Sequence, residues 1–562
     1  MKLKINFEVI ALVIVFLSLN WTGYANLSDN KIVHDYPFGF RASDSLERAF
    51  FVDSLIDTGN YRYLAPYLNQ GISNTVTWYF PLLSHIVANI SILSGFSIFD
   101  SLYFMIFAMT NLVVFVIYLL IRKYSKNMAL LSLPFMLYIY LGKFMVGSAA
   151  GIWGYSTGVV FLAAFFFFVS YFDEKNVWLL CSLILIAMIY HRAMDALIAF
   201  CFFSAYFVYE FINKKIDKEF IKKIVFMGGI VILVSGYYML YFANIIKAIG
   251  GTGRPFIDFI KIPMEFYGTD LSNFGNLILA VVIIGIVLSI FSLKKYFFPV
   301  LAGITIIGFN YITYLGGSLG ISYHSRMFLM PIFAAFFIGY AIYFGVSLFK
   351  SANKNFKLNE MGVFVLFLII TGIIYGTLYQ PYPAKEGLFN KYIWDGFKWI
   401  QSETPNDSNV LFLYGDSYTQ TNMLQYIKRR PFFVYTDEVQ KQVSSGKLER
   451  YQMIEPISSI FIYQKGPLNF EGLLNSQEGY DSSGQNMEHF RTFVLNRKQD
   501  ICSFDYYVID KYSNVPVAIT NFNNVFKETA LKNKWFAIAY DNPFLTILKN
   551  NKPGDDCLGS NE

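Results

Sequence analysis

Long apolar segments recur through the first 380 residues of this sequence, and they constrain its fold more than any other feature. A helix needs about 20 mostly apolar residues to cross the hydrocarbon core of a bilayer. Segments that approach or reach this length lie at residues 7–25, 101–121, 128–147, 152–172, 177–190, 194–212, 224–243, 273–293, 296–315, 326–349 and 361–379. The pattern predicts a polytopic α-helical membrane protein with about 11 transmembrane helices in a domain of residues 1–380.

The composition excludes several other classes of protein. Hydrophobic residues make up 55% of the chain and charged residues 15%, whereas soluble domains carry about 25% charged residues. The net charge of +6, from 45 basic and 39 acidic residues, is too small and too scattered for a nucleic-acid-binding surface. Four cysteines exclude a disulfide-framework protein. We therefore expect a lipid bilayer, and no nucleic acid, among the partners.

Basic residues in the short loops predict the orientation. Lysine and arginine cluster in alternate loops, for example at 122–126, 214–223 and 350–357, and such loops face the cytoplasm. This places the N-terminus inside and, after an odd number of crossings, the C-terminal domain outside, beside a long first outer loop of residues 26–100. The apolar segment 79–98 is interpreted as a membrane-embedded or interfacial helix that does not cross. We expect a multi-pass protein of the cell membrane.

The sequence of residues 381–562 predicts a soluble extracytoplasmic α/β domain. Helical periodicity at 389–401 is followed by short apolar runs typical of buried strands. These runs lie at 410–414, 432–435, 459–463, 506–510 and within 535–548. Cys502 and Cys557 both belong to this region, so an extracytoplasmic location favours a disulfide between them.

The first outer loop carries the most informative acidic residues. Asp44 opens a predicted amphipathic helix over 45–57, whose apolar residues are interpreted as lying on the lipid interface, namely Phe51, Val52, Leu55 and Ile56. With Glu47 three residues later, Asp44 also resembles the start of a capping box. Two roles therefore remain open for Asp44, that of a catalytic carboxylate and that of a helix cap.

A second candidate is Arg326, at the outer end of the tenth predicted span. A guanidinium there can bind a phosphate through two hydrogen bonds, and His324 is a candidate for the same role. The alternative is an arginine that only reaches toward the interface. Asp270 is a candidate without a specific signal. The polar group His191, Arg192 and Asp195 is interpreted as a buried ion pair joining two spans.

These residues resemble the GT-C superfamily of membrane glycosyltransferases. SDSLERAFFVDSLIDTG followed by WYFPLLSHIVANISILSG is similar to that family's first outer loop, and SRMFLMPIFAAFFIGYA to its late span with an outer arginine. The resemblance implies that Asp44 is the catalytic carboxylate and that Arg326 meets the phosphate of the donor.

The tail is similar to oligosaccharyltransferase catalytic subunits over FKWIQSETPNDSNVLFLYGDSYTQ. Those enzymes carry WWDYG at the end of this strand, where it holds the acceptor sequon, and this chain has FLYGDSY at 412–418 instead. The resemblance therefore implies a GT-C relative with a different acceptor.

The function implied is the transfer of a sugar or glycan from a polyprenyl- or dolichyl-phosphate-linked donor to a glycan or protein acceptor on the outer face. Asp35, Glu47 and Asp270 are candidates for binding substrate or a divalent cation, Mg²⁺ or Mn²⁺. Two alternatives remain open from the sequence. One is a transporter or flippase of lipid-linked sugars, and the other is a non-catalytic membrane assembly protein.

Overall fold

A computed structural model gives the fold. It describes residues 6–27, 31, 33–40, 43–61, 65, 75–76, 81–141, 154–249, 276–292, 296, 299–300, 303, 323–352, 359–377, 390–413, 427–434, 436–456, 463–464, 498–511 and 517–559. The chain forms two compact units. The helical unit comprises Met1–Ile32, Tyr103–Tyr241 and Gly253–Lys385. The loop–tail unit comprises Val33–Leu102, Phe242–Thr252 and Glu386–Glu562.

Helices form over the apolar segments that the sequence marks out. In chain order the helices are α1 (Phe7–Leu27), α2 (Ser43–Thr58), α3 (Pro81–Ser94), α4 (Ile98–Arg122), α5 (Lys126–Leu141), α6 (Gly154–Val169), α7 (Val177–His191), α8 (Ala193–Ile212), α9 (Lys218–Ile249), α10 (Asn276–Ile290), α11 (Tyr323–Ala352), α12 (Glu360–Thr377), α13 (Lys391–Glu403), α14 (Thr436–Ser445) and α15 (Val517–Leu531). Every predicted span except 296–315 overlaps one of these helices, and that segment lies mostly outside the described residues.

Several of these helices have the length and composition of membrane spans. Among the residues that the structure describes, four stretches meet both criteria: Ile98–Arg122, Asp195–Ile212, Lys218–Leu240 and Pro331–Phe349. Shorter apolar helices cover other predicted spans. The chain is therefore a multi-pass membrane protein with a C-terminal sheet domain. The number of about eleven crossings and the orientation of the termini stay predictions.

The apolar segment 79–98, which is predicted not to cross, contains α3, a helix of 14 residues. At 1.5 Å per residue, α3 is about 21 Å long, shorter than the roughly 30 Å of a bilayer core. Gly95 ends the helix with a φ of 73°, in the left-handed region that glycine adopts without steric cost. Helix α10, which covers a predicted span, is nearly as short with 15 residues, so whether 79–98 crosses stays a prediction.

Helices of the helical unit approach one another closely at glycines. A Cβ atom added to Gly339 of α11 would lie 2.8 Å from the carbonyl oxygen of Met128 in α5. A Cβ atom added to Gly285 of α10 would clash with the carbonyl oxygen of Phe337 in α11. Small residues allow such contacts between membrane helices, where packing rather than water exclusion drives association. Substitution of Gly285 is therefore sterically restricted.

One carboxylate ties three helices of this unit together. Glu8 of α1 accepts a hydrogen bond from the Tyr118 hydroxyl at 2.5 Å and pairs with Arg122 of α4. Lys126 of α5 lies 3.3 Å from the Glu8 carboxylate and 3.0 Å from Glu360 of α12. These five residues are called the Glu8 cluster. Because the Glu8 side chain is only 9% exposed, its charge depends on these partners.

The loop–tail unit contains a mixed sheet. Its strands are β1 (Thr75–Val76), β2 (Asn409–Leu413), β3 (Arg430–Val434), β4 (Tyr451–Pro456), β5 (Tyr463–Gln464), β6 (Lys498–Asp500), β7 (Tyr506–Asp510), β8 (Phe536–Asp541) and β9 (Leu545–Asn550). The larger sheet has the order β6-β4-β3-β2-β7-β9-β8, and β2 pairs in parallel with β3 and β7. The flanking pairs are antiparallel. This arrangement confirms the predicted α/β character of the tail.

The predicted elements of the tail correspond closely to the observed ones. Helix α13 buries Trp394, Phe397 and Ile400 on one side, as its periodicity predicts. The apolar runs at 410–414, 432–435 and 506–510 form β2, β3 and β7, which are buried almost throughout. The run at 459–463 lies outside the described residues except for Tyr463. The disulfide is confirmed, because Cys502 and Cys557 are bonded with their Cα atoms 5.3 Å apart.

The apolar face of α2 is covered by protein, which corrects one expectation. Phe51, Val52 and Leu55 are buried, and α2 packs against α3. Only Ile56 of the predicted lipid-facing set is exposed, at 37%. The periodicity predicts an apolar face correctly but does not specify what covers it. The interpretation of α2 as an interfacial helix with this face in lipid is wrong for the three buried residues.

Candidate active site

The first-loop candidates lie at and before the start of α2. Asp44 is the second residue of this helix and Glu47 follows one turn later. An acidic residue in the first turn stabilises a helix through its dipole, so the capping interpretation stays open beside the catalytic one. The structure describes the backbone of both residues but not their side chains. Asp35 is exposed, in the segment that precedes α2.

The late-span candidates lie at the start of α11. His324 and Arg326 are the second and fourth residues of this helix, and their side chains lie outside the described residues. A helix N-terminus favours an anion, because its first N–H groups have no partner within the helix. Asp270 lies outside the described residues altogether. The meeting of Asp44 with Arg326 therefore stays a prediction.

The segment that carries Asp35 is held by a buried histidine–carboxylate pair. His34 Nδ1 lies 2.9 Å from Asp100 Oδ1, and the two side chains are 7% and 2% exposed. Asp100 also accepts a hydrogen bond from the Ser97 hydroxyl at 2.7 Å, while its backbone N–H donates to the Ser97 oxygen at 3.1 Å. Ser97 and Asp100 thus form a variant of the capping box at the start of α4. The spacing S-x-x-D signals this cap, but no local signal predicts that His34 joins it.

Aromatic contacts connect the first loop to the tail. Phe99 at the start of α4 packs edge to face against Trp394 of α13, with ring centroids 5.6 Å apart. Phe40 packs against the same Phe99 ring at 5.3 Å. In addition, β1 from the loop pairs antiparallel with β5 from the tail. The loop and the tail therefore share one core, within a single compact unit.

An ionic contact joins α2 itself to the tail. Lys428 Nζ lies 2.7 Å from Asp57 Oδ2 and 3.5 Å from Asp53 Oδ1. The two aspartates are four residues apart and so lie on the same face of α2. Their side chains are 30% and 11% exposed, and that of Lys428 is 32% exposed. Helix α2, which carries Asp44 in its first turn, thus contacts a residue of the tail near its other end.

The polar group between α7 and α8 is a buried ion cluster, as predicted. His191 Nδ1 and Arg192 Nη1 each lie 3.6 Å from a carboxylate oxygen of Asp195. A Cβ atom added to Gly158 of α6 would clash with the Asp195 carboxylate, so a third helix also approaches the cluster.

Metal binding finds no support in the described side chains. Among them, no three histidine, cysteine, aspartate or glutamate residues converge closely enough to hold a metal ion. The predicted carboxylates, apart from Asp35, lie outside that set. Divalent-cation binding therefore stays a proposal.

Comparison with known proteins supports the architecture at the level of the fold. No protein-family model matches the chain, and no curated protein matches its sequence. Among solved structures, the chain is similar to ArnT from Cupriavidus metallidurans bound to undecaprenyl phosphate, with 10% identity over 98% of each chain and a TM-score of 0.50.

Two oligosaccharyltransferase structures from Archaeoglobus fulgidus give lower scores. The apo form has 12% identity over 92% of this chain and 72% of that chain, with a TM-score of 0.47. AglB in complex with an inhibitory peptide and a dolichol-phosphate has 13% identity over 93% of this chain and 82% of that chain, with a TM-score of 0.44.

The likeness to ArnT extends over nearly the whole of both chains. The chain thus has a GT-C-like architecture, which confirms the resemblance at the level of the fold.

Proposed function

We propose that the chain is an integral membrane glycosyltransferase of GT-C type. It transfers a sugar or glycan from a polyprenyl- or dolichyl-phosphate-linked donor to a glycan or protein acceptor on the outer face of the cell membrane. The observation that carries the proposal is the position of Asp44 in the first turn of a loop helix, within a GT-C-like fold. The ArnT structure of similar fold was bound to undecaprenyl phosphate, which supports a lipid phosphate as part of the donor.

The proposed chemistry divides between two residues. An acceptor hydroxyl or amide attacks the anomeric carbon, and its proton passes to the Asp44 carboxylate as general base. The bond between the anomeric carbon and the phosphate oxygen breaks, and the lipid phosphate leaves with an additional negative charge. Arg326, assisted by His324, stabilises that charge through charge-assisted hydrogen bonds. Asp35, Glu47 and Asp270 are assigned to substrate or to a divalent cation that would neutralise the phosphate.

The proposed location is the cell membrane, with the N-terminus in the cytoplasm and the tail outside. The disulfide between Cys502 and Cys557 supports an extracytoplasmic tail, because disulfides persist in oxidising compartments. The basic loops support the same orientation. Activity on the outer face also agrees with a lipid-linked donor.

Transfer in reconstituted membranes tests the proposal. Purified protein in liposomes receives a panel of tritiated undecaprenyl-phosphate-linked hexoses, with membranes of the source cells as acceptor. We expect Asp44→Asn to lower the transfer rate by about 10²-fold or more, as for loss of a general base. Arg326→Ala should lower it by a similar factor, as for loss of a transition-state donor. Glu528→Gln, an exposed substitution on α15, serves as the control.

Full transfer by both variants would contradict the assigned roles. Movement of labelled lipid between the two leaflets without transfer would instead support a flippase.

A further inference from the structure

The turn before β3 presents Lys428 from a rigid position. Lys428 adopts a φ of 62°, and the next residue, Arg429, is 2% exposed. The Arg429 guanidinium donates hydrogen bonds to the carbonyl oxygens of Gln401 and Thr404 at 2.6 and 2.7 Å, and to the Thr404 hydroxyl at 2.8 Å. These acceptors lie at the C-terminal end of α13, where carbonyl groups lack helical partners. The backbone beside Lys428 is therefore fixed to the C-terminal end of α13.

The same helix of the tail contacts the first loop at a second point. Trp394 of α13 packs against Phe99, as described above. Helix α13 thus holds the turn of Lys428 at its C-terminal end and an aromatic contact with the loop near its start. The Lys428 ammonium therefore contacts Asp53 and Asp57 from a turn that is held by α13, and α13 itself packs against the loop.

We propose that Lys428 is a positioning residue for Asp44, an inference that rests on the proposed function. The residues from Asp44 to Asp57 belong to one helix, so Asp57 lies about 20 Å along the axis from Asp44. A helix transmits a displacement of one end to the other. The Lys428 contact therefore sets the position of the proposed base relative to the tail.

The contact is suited to positioning rather than to holding the fold. Asp53 is buried, but the closer pair, Lys428 with Asp57, retains access to water, and ion pairs of that kind contribute little to stability. Catalytic geometry is much more sensitive, because a misplacement of about 1 Å can lower a rate by about 10²-fold. Loss of Lys428 should therefore change the rate of transfer more than it changes folding.

The test compares Lys428→Ala with a charge exchange, Lys428→Asp combined with Asp57→Lys. Using the same tritiated undecaprenyl-phosphate-linked hexoses and membranes, we expect Lys428→Ala to lower kcat about tenfold and to leave the KM for the donor unchanged. The exchanged pair should recover most of kcat. Lys447→Ala, at an exposed lysine beyond α14, is the matched control. A purely structural role would lower the amount of folded protein without changing kcat per folded molecule.

Hydrogen exchange of α2 gives a readout that does not depend on activity. In the full-length protein we expect Lys428→Ala to accelerate amide exchange of residues 43–58, and the exchanged pair to restore it. Unchanged exchange would overturn the contact as a constraint on α2. Faster exchange with unchanged kcat would overturn the positioning role. If the native protein transfers no sugar at all, the proposed function fails, whereas exchange in α2 still decides whether Lys428 restrains this helix.

Discussion

Two ionic contacts, one in each compact unit, use charged side chains in different ways. In the helical unit, the Glu8 carboxylate is nearly buried and several donors surround it. In the loop–tail unit, Lys428 and Asp57 form a close pair that water still reaches. A buried charge that loses its partners retains a large desolvation penalty, whereas an exposed one is solvated again. Short distances alone therefore do not indicate how strongly a contact stabilises the protein.

The difference separates residues that hold the fold from residues that position a site. The helical unit places polar groups where apolar surroundings make each of them necessary. The loop–tail unit is stabilised by the sheet, the aromatic core, the disulfide and the buried His34–Asp100 pair, so its exposed pair of Lys428 and Asp57 can specify geometry. The following substitutions test this division, in order of decreasing expected effect.

Removal of the disulfide should have the largest effect. The bond between Cys502 and Cys557 closes a loop with a sequence separation of 55 residues. Loop-closure entropy for this length predicts that replacing both cysteines with serine lowers the free energy of unfolding of the tail by about 4 kcal/mol. Urea unfolding followed by near-ultraviolet circular dichroism measures this change. Cys201→Ser, at an unbonded cysteine, is the control. A loss below about 1 kcal/mol would mean that the sheet alone supports the tail.

Substitution of Glu8 should have the next largest effect. Glu8→Ala leaves the Tyr118 hydroxyl without its carboxylate acceptor and separates α1 from Arg122 and Lys126. Breaking a buried pair costs about 3 kcal/mol, and the partial exposure of Arg122 places the expected loss at or slightly below that value. Thermal unfolding in detergent, compared with that of Glu219→Ala at an exposed glutamate of α9, gives the measurement. Equal stability of the two variants would remove the contrast between the units.

A glycine pair tests whether close helix packing matters as much as charge. Gly285→Ala brings a Cβ atom against the Phe337 carbonyl, whereas nothing lies within 4 Å of a Cβ atom on Gly228 of α9. We expect Gly285→Ala to destabilise the helical unit by about 2 kcal/mol, as for overpacking. Gly228→Ala should be neutral or slightly stabilising, because alanine favours a helix over glycine. The same thermal assay compares both variants, and similar midpoints would contradict the packing argument.

The sequence predicts the parts of the fold that depend on local patterns. Hydropathy over about 20 residues locates spans such as 101–121, which lies within α4. Buried strands of the tail appear as short apolar runs, as at 506–510. The disulfide is predictable because Cys502 and Cys557 are the two cysteines after residue 380.

Contacts between residues that are far apart in the sequence cannot be predicted from local patterns. Lys428 and Asp57 are 371 positions apart, and each resembles an ordinary surface charge in its own segment. Likewise, nothing near Glu8 indicates that Arg122, 114 positions later, is its partner. The periodicity of α2 shows an apolar face, but whether lipid or protein covers this face depends on the tertiary fold. For the candidate site, the sequence places Asp44 and Arg326 near helix starts, as observed, whereas their roles stay predictions.

The smallest expected effect concerns the pH dependence of an exposed pair in the tail. Burial alone would raise the pKa of Asp541, but the Lys511 ammonium and the Thr546 hydroxyl, each 2.6 Å from its carboxylate, lower it overall. A carboxyl whose pKa is lower in the folded state adds stability above its unfolded pKa of about 3.9 and loses it as the pH falls through the folded value.

Asp541→Asn should therefore reduce the decline of stability below about pH 4, by no more than about 0.5 kcal/mol because the carboxylate is half exposed. Urea midpoints of the tail between about pH 2.5 and pH 6 measure this change, because these limits lie on either side of the unfolded pKa. Glu528→Gln is the control. A deficit in the stability of Asp541→Asn that appears at about pH 2.5 and vanishes at about pH 6 would show the opposite sign and contradict the assignment. A difference well above 1 kcal/mol would show that exposed pairs in this unit also hold the fold, and the contrast with Glu8 would no longer stand.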